Sequence, residues 1–177
     1  LIAAVTRREL GRKLRAACRR LRVPGGQAGA MSIHIVDDRE MTRLNGEHMG
    51  KRRPTDVLSF PTEDMEAVGP SLGLGDIVLN VDAVTRQGQG APGSEPWVAE
   101  ATVLLIHGLA HLLGHDHRRR GEGRRMHQVE VRGVRAAGVA DIARPCGCRP
   151  AGGLPSSEEA IRVLPRNSRI SIRSILG

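Results

Sequence analysis

The spacing of apolar and polar positions predicts several helices along the chain. Apolar residues recur every third or fourth position over residues 7–22, which predicts an amphipathic helix with Thr6 as its N-cap. Asp37 is placed to cap a second, shorter helix, and Asp82 to begin a third. A last helical spacing covers residues 122–137, after which the chain becomes rich in proline, glycine and arginine.

Extended runs between these helices predict the strands of one sheet. Residues 30–36 alternate loosely between apolar and polar side chains, and residues 56–60 and 74–81 are short apolar runs bounded by polar or proline positions. The apolar run 1–5 would supply a further strand. Helices and strands mix without strict alternation, so we expect an α+β fold, a small mixed sheet of about four strands packed with helices around one central helix.

The central helix is predicted to bind a metal ion through histidines at its end. An apolar run over residues 98–106 leads into His107 and His111, which are four residues apart and project from one face of a helix. Gly114 follows where helices often end in the left-handed conformation, so the chain can reverse and bring His117 beside the other two. Three imidazoles around one point match a divalent transition metal with an open fourth position, the arrangement of a catalytic zinc site.

The competing explanation is structural, because a lone buried histidine is more often a hydrogen-bonded core residue than a ligand. Three histidines with a helix-ending glycine between the second and the third favour the metal site. Glycine inside a helix costs about 1 kcal/mol relative to alanine, so we expect another segment or a substrate to approach Gly108 closely. Zinc at such a site would lower the pKa of a bound water to about 7. The pattern therefore indicates a hydrolase without naming the bond that it cuts.

Zinc peptidases have the same histidine and glycine spacing, but they place a glutamate directly after the first histidine as general base. In this chain that position is Gly108. Peptide hydrolysis by that design needs a carboxylate to move a proton from the water to the leaving amine. A zinc peptidase is therefore the weaker alternative.

The composition adds a basic balance and few aromatic side chains. There are 27 Lys and Arg against 19 Asp and Glu, a formal net charge of +8 that favours a polyanionic partner. Lysine occurs only at Lys13 and Lys51, so an arginine-rich proteome from a GC-rich genome is the competing explanation. Phe60 and Trp97 are the only Phe, Tyr or Trp residues, which weakens any hypothesis of nucleic-acid binding by stacking of bases on aromatic side chains. Cysteine usage and the lack of a long apolar run lead us to expect a cytoplasmic protein with no membrane partner.

Three blocks of residues resemble the YbeY family of bacterial single-strand-specific endoribonucleases. They are His107-Gly108-x-x-His111-Leu112-x-Gly114-x-Asp116-His117, then Leu44-Asn45 followed by Pro54-Thr55-Asp56-Val57-Leu58-Ser59-Phe60-Pro61, and Leu74-Gly75-Asp76-Ile77. The resemblance implies one Zn2+ ion bound by His107, His111 and His117. It also implies a role in 16S ribosomal RNA 3′-end maturation and ribosome quality control, with single-stranded ribosomal RNA and the ribosome or ribosomal proteins as partners.

One position departs from the family pattern. Many members have an arginine four residues after the asparagine that corresponds to Asn45, where this chain has Met49. If that arginine stabilises phosphate charge, the basic run Lys51, Arg52 and Arg53 must replace it. We therefore expect this run to bind RNA, with Lys51 as a catalytic candidate. Reduced activity would make a non-catalytic, metal-bearing ribosome-assembly factor the main alternative.

Asp116 is the second catalytic candidate, because a carboxylate beside a metal-binding histidine can orient its imidazole. Its structural alternative is to cap the turn after Gly114. A second basic run over residues 118–120 flanks the histidines on the other side. Phosphoryl transfer depends more on charge neutralisation than on a carboxylate base, so basic runs near the site favour phosphodiester cleavage.

The chain is expected to divide into one catalytic domain and a tail. Residues 1–141 form the YbeY-like endoribonuclease domain, and residues 142–177 form a basic tail rich in Pro, Gly and Arg that matches nothing in the family. From residue 143 onward the tail holds six Arg and two Glu, or four of the eight net positive charges. We expect it to be disordered or loosely attached.

Overall fold

The computed structural model describes residues 4–23, 31–62, 73–116 and 121–139. His117 and the tail 142–177 lie outside these ranges. The described residues form five helices and three strands. The helices are α1 (Ala4–Arg20), α2 (Asp38–Met49), α3 (Val81–Gly88), α4 (Glu95–Leu112) and α5 (Glu122–Ala136). The strands are β1 (Met31–Val36), β2 (Val57–Pro61) and β3 (Gly75–Asn80).

The three strands form one mixed sheet with the order β1-β3-β2. Strand β1 runs parallel to β3, with Ile33 opposite Ile77, and β2 runs antiparallel to β3, with Ser59 opposite Ile77. The α+β prediction is confirmed. The predicted fourth strand is not confirmed, because Ala4 and Val5 of the run 1–5 already belong to α1 and residues 1–3 lie outside the described ranges.

The predicted N-cap of the first helix is wrong. Thr6 lies inside α1, because the backbone is already helical at Ala4. Its side chain is buried, and its Oγ1 atom would lie only 2.8 Å from a Cβ added at Gly93. Contact with the loop before α4 therefore accounts for this threonine. At the second helix the prediction is confirmed, since the Asp37 side chain accepts a hydrogen bond from the Glu40 amide at 2.8 Å.

The sheet is covered on both faces because successive side chains of a strand point to opposite sides. Ile77 and Leu79 of β3 face the main core, which they share with residues of α1, α3 and α4. Val78 faces the other side, where a second cluster forms around Met41 of α2. The other buried members of that cluster are Leu58 and Phe60 of β2. Helix α2 therefore lies on one face of the sheet and α4 on the other.

Helix α4 occupies the centre of the fold, as predicted. It contacts α1, α3, α5, β2 and β3. Near its beginning Trp97 is fully buried and donates a hydrogen bond from Nε1 to Thr85 Oγ1 of α3 at 3.1 Å. Full burial of a large apolar side chain contributes about 1.5–3 kcal/mol, so the many apolar residues along α4 hold it firmly in place. The histidines at its end are thus attached to a helix that is buried in the core.

A buried polar network joins α2, α3 and the segment before β2. Asn80 is completely buried, and its side chain accepts hydrogen bonds from the first amides of α3, at Asp82 and Ala83. The same side chain donates to Asp38 Oδ1 at 2.7 Å and to the Thr55 carbonyl at 3.0 Å. One residue therefore caps a helix and holds two other segments beside it.

Candidate metal centre and basic segment

His107 and His111 face each other one turn apart on α4. Their Nε2 atoms are 3.2 Å apart and their rings are nearly perpendicular, with an interplanar angle of 87°. Two nitrogen ligands of one tetrahedral zinc, each about 2.0–2.1 Å from the metal, lie about 3.3 Å apart. The two nitrogens are therefore spaced as ligands of a single ion would be. His111 is buried, and the His107 side chain is 16% exposed, which leaves an approach from solvent.

The end of α4 has the geometry that the sequence predicts. Gly114 is left-handed with φ of 82°, its amide donates to the His111 carbonyl at 2.9 Å, and the His115 amide donates to the Ala110 carbonyl at 3.1 Å. This pair of hydrogen bonds is a Schellman motif, which ends a helix and reverses the chain. The reversal occurs three residues after His111, at the glycine where the sequence predicts the end of the helix.

The third predicted ligand, His117, falls in the range 117–120, outside the described residues. Within the part of the chain that the structure describes, no group of three or more His, Cys, Asp or Glu side chains is arranged to hold a metal. The described site is thus a pair of histidines with suitable spacing. His117 as third ligand stays a prediction.

Glu130 is a site residue that the sequence analysis missed. Its Oε1 atom lies 2.7 Å from His107 Nδ1, and the glutamate is buried. The one signal in the sequence is its spacing, four residues after Met126 and three before Gly133, and the structure shows that α5 buries this stripe. A charged residue on the buried stripe of a helix needs a partner. Here that partner is a candidate metal ligand.

Gly108 lies where α4 comes closest to the sheet. A Cβ atom added there would be 3.0 Å from both Ile77 Cγ2 and Ser59 Oγ. Ser59 also donates a hydrogen bond to the Gly108 carbonyl at 3.3 Å. The expectation that another segment approaches Gly108 closely is confirmed, and the segments are β2 and β3. No side chain larger than hydrogen fits at this position without movement, so the place of a peptidase glutamate is filled by the sheet.

The predicted RNA-binding residues lie in a well-defined turn after α2, here named the basic segment (residues 50–53). The left-handed Gly50 ends the helix, and the Lys51 amide donates to the Asn45 carbonyl at 3.2 Å. The buried Asn45 side chain donates to the Arg53 carbonyl at 2.7 Å. Arg52 and Arg53 are exposed and Lys51 is half-buried. Asn45 thus fixes the backbone at both ends of the basic segment while two of its cations face solvent.

The structure also describes Met49 and Asp116, two positions that the sequence analysis singled out. Met49 packs against the second cluster together with Val36 and Leu44, so its side chain completes an apolar surface. Asp116 is half-buried and follows the Schellman turn directly. The carboxylate of Glu130 contacts His107 Nδ1 at 2.7 Å. The catalytic roles of Asp116 and Lys51 stay predictions.

A comparison with protein families finds one that covers most of the chain. The family model described as "Endoribonuclease YbeY" matches residues 5–137. In a search of curated proteins, the Endoribonuclease YbeY of Anaeromyxobacter sp. is 41% identical over 140 residues, which cover 73% of this chain and 69% of the relative. The Endoribonuclease YbeY of Gluconobacter oxydans is 36% identical and covers 84% of each chain. That of Halorhodospira halophila is 37% identical over 66% of this chain and 75% of the relative.

Among solved structures, the solution structure of TM1509 from Thermotoga maritima aligns with a TM-score of 0.48 and 21% identity. The alignment covers 73% of this chain and 81% of that one. Over the described ranges, no helix combines the length and the apolar character that crossing a bilayer requires. The family model and the relatives confirm the resemblance seen in the sequence: this chain belongs to the YbeY family of endoribonucleases, enzymes that hydrolyse RNA phosphodiester bonds.

Proposed function

We propose that this chain is a zinc-dependent endoribonuclease that cleaves single-stranded ribosomal RNA in the cytoplasm, at or near the ribosome, in 16S ribosomal RNA 3′-end maturation and ribosome quality control. The observation that carries the proposal is the histidine pair on α4, whose Nε2 atoms are 3.2 Å apart. This spacing, in a chain of an endoribonuclease family, supports metal-assisted cleavage of RNA.

The proposed ligands of one zinc ion are His107, His111 and His117. When bound, the ion supplies a Lewis acid that activates water and withdraws charge from the phosphodiester. His107 and His111 are held by the buried end of α4, so they keep their mutual spacing without help from the metal. The His107 side chain is partly exposed, so a substrate could reach the pair from solvent.

The basic segment is proposed to neutralise the phosphates of the bound RNA. Its exposed arginines, Arg52 and Arg53, are anchored through Asn45 to the end of α2, so they present charge from a fixed backbone. Lys51 is the proposed catalytic cation and Asp116 the proposed carboxylate near the histidines. The nucleophile is either the neighbouring 2′-hydroxyl or a water, and a 2′,3′-cyclic phosphate on the product marks the first route.

A non-catalytic ribosome-assembly factor is the second candidate, and Met49 is the observation that favours it. At the position where many family members have an arginine, this side chain packs into the second cluster beside Leu44 and supplies no charge. A zinc peptidase has less support, because the sheet approaches Gly108 too closely for a general base there.

The test uses labelled single-stranded ribosomal RNA and purified protein with and without a chelator. We expect chelator-sensitive cleavage by the wild type and none by His111→Ala. His34→Ala is the matched control, because His34 pairs with Asp76 on the sheet face opposite α4 and should leave cleavage unchanged. The zinc content of the wild type and of each variant is measured in parallel by metal analysis.

Each alternative has its own outcome. Zinc binding without cleavage by the wild type would favour the assembly factor over the nuclease. Cleavage that persists in His111→Ala would place the activity elsewhere or in a contaminant. Chelator-sensitive digestion of casein would revive the peptidase.

A further inference from the structure

We propose that Glu130 is a positioning residue for His107, the proposed metal ligand: it accepts a hydrogen bond from the Nδ1–H group of the imidazole and so keeps the lone pair of Nε2 for the ion. This inference rests on the proposed zinc site. It assigns a role to a residue of α5 that stands 23 positions further along the chain than the histidine.

The contact is short and sheltered from water. Glu130 Oε1 lies 2.7 Å from His107 Nδ1, within the range of charge-assisted hydrogen bonds. The exposed fraction of the Glu130 side chain is 8% and that of His107 is 16%. A hydrogen bond to an ionised group is roughly twice as strong as one between neutral groups, and solvent competes little for this one. The imidazole is therefore held in one orientation.

The direction of the hydrogen bond fixes the tautomer of the histidine. A neutral imidazole has one N–H, and a carboxylate oxygen at 2.7 Å from Nδ1 is an acceptor for it, so the contact with Glu130 favours the tautomer with the proton on Nδ1. Nε2 then keeps its lone pair on the side that faces His111 Nε2. In the other tautomer a proton on Nε2 would point toward His111 Nε2 and would prevent His107 Nε2 from binding a metal. A carboxylate behind a metal-binding histidine is a common means of preventing this.

The surroundings of Glu130 make a purely structural role costly. Its second oxygen, Oε2, is buried and has no hydrogen-bond partner among the described residues. Along the same helix face the buried neighbours are Met126 and Gly133. A leucine of similar size would fill this position without an unsatisfied buried oxygen. The carboxylate is explained by the histidine that it contacts and not by the packing around it.

Close packing of the two helices brings the carboxylate within reach. A Cβ atom added at Gly133 would lie 2.9 Å from Ile106 Cγ2. Gly133 is one turn from Glu130, and Ile106 is next to His107, so the point of closest approach lies beside the hydrogen bond. The glycine therefore lets α5 pack closely against α4 beside the contact between Glu130 and His107.

The experiment measures zinc dissociation constants by chelator competition for the wild type and two variants. Glu130→Leu removes the acceptor, and Glu130→Gln keeps an amide oxygen that can still accept from Nδ1. We expect Glu130→Leu to weaken zinc binding 10- to 100-fold and Glu130→Gln to weaken it less. Gln128→Leu is the matched control, since Gln128 is exposed on the same helix and should leave the constant unchanged.

A second readout separates positioning from folding. We expect the metal-free Glu130→Leu protein to remain folded, although His107 Nδ1 loses its acceptor, while its gain in melting temperature on adding zinc is smaller than that of the wild type. In nitrogen-resolved NMR of the metal-free protein, the His107 imidazole should change from the Nδ1–H tautomer in the wild type to a mixture in Glu130→Leu.

The outcomes distinguish this inference from the proposed function. A wild type that binds no zinc would overturn the metal site and the role of Glu130 together. A wild type that binds zinc, with Glu130→Leu binding equally well, would overturn the role of Glu130 alone. Loss of metal-free stability in Glu130→Leu with an unchanged zinc constant would assign the residue to the fold.

Discussion

At the scale of single residues, two glycines determine how close α4 comes to its neighbours. Gly108 faces the sheet at Ser59 and Ile77, and Gly133 of α5 faces Ile106 of α4. Glycine disfavours a helix by about 1 kcal/mol relative to alanine, so each position weakens its helix locally. What is gained is contact with the sheet on one side and, on the other, a glutamate within reach of His107.

Alanine at Gly108 should therefore destabilise the protein although it favours the helix. The added Cβ would lie 3.0 Å from the branched Ile77 side chain and from Ser59, and overpacking of a core costs about 1–3 kcal/mol. Against a helix gain of about 1 kcal/mol, we expect the free energy of unfolding in urea to fall by up to about 2 kcal/mol. Gly46→Ala is the matched control, because its Cβ would meet only Arg52 Cγ at 3.8 Å. A Gly108→Ala variant that is more stable than the wild type would show that the Ile77 and Ser59 side chains move aside at little cost.

At this scale the sequence was most informative where a residue broke a local rule. Gly108 in a helix predicted a close approach, and Gly114 predicted a left-handed helix end; both are confirmed. Glu130 was missed because the helical spacing over residues 122–137 did not show which face of the helix is buried. The stripe that is buried consists of Met126, Glu130 and Gly133, and only packing against α4 selects it.

At the scale of elements, the basic segment is an extension of α2. Gly50 ends the helix, and Asn45 binds the backbone at Lys51 and at Arg53. A turn held in this way loses little conformational freedom when it binds a phosphate chain. The surface proposed to bind RNA, Arg52 and Arg53, therefore stands on a preformed backbone.

Replacement of Lys51, Arg52 and Arg53 by alanine tests that surface. Each cation that contacts a phosphate of single-stranded RNA contributes about 0.7 to the slope of log affinity against log salt. We expect weaker binding and a slope that is shallower by about 2, measured by fluorescence titration from low to moderate salt. An equal loss of charge on the exposed face of α1, by alanine at Arg8, Arg15 and Arg19, should change the slope much less. Identical slopes for the two triple variants would show that the basic segment makes no special contact.

Element types were predicted better than element boundaries. The observed helices and strands correspond to the predicted ones within about three residues, because the apolar spacing that defines them also builds the core. Thr6 shows the limit: a capping pattern at that threonine placed the helix start too late, since burial against Gly93 gives the residue another role. Local capping signals do not report such long-range contacts.

At the scale of the whole molecule, the sheet separates two layers of helices. Helix α4 with its histidines lies on one face, while α2, which leads into the basic segment, lies on the other. The sequence predicted the α+β class and the central helix, but not which face each helix covers. That choice depends on strand order, which non-local pairing of β1 with β3 decides. The division into residues 1–141 and the tail 142–177 stays a prediction.

The polar network around Asn80 joins these layers, and its ion pair should make stability depend on pH. Arg86 and Asn80 hydrogen-bond Asp38 and hold the pKa of its carboxyl below the ordinary 3.8. Since the folded pKa is lowered, the contribution to stability is complete above pH 3.8 and is lost as the pH falls through the folded value.

A double-mutant cycle with Asp38→Asn and Arg86→Gln measures this contribution. The Asp38 side chain is 38% exposed, so solvent screening limits the coupling at neutral pH to about 1 kcal/mol or less. We expect the coupling, from urea unfolding at several pH values, to be constant near neutrality and to vanish once Asp38 is protonated in the folded protein. Added salt should also reduce it, because the pair is partly exposed. A coupling that persists unchanged at low pH would assign the link between α2 and α3 to the neutral hydrogen bonds of Asn80 and not to the ion pair.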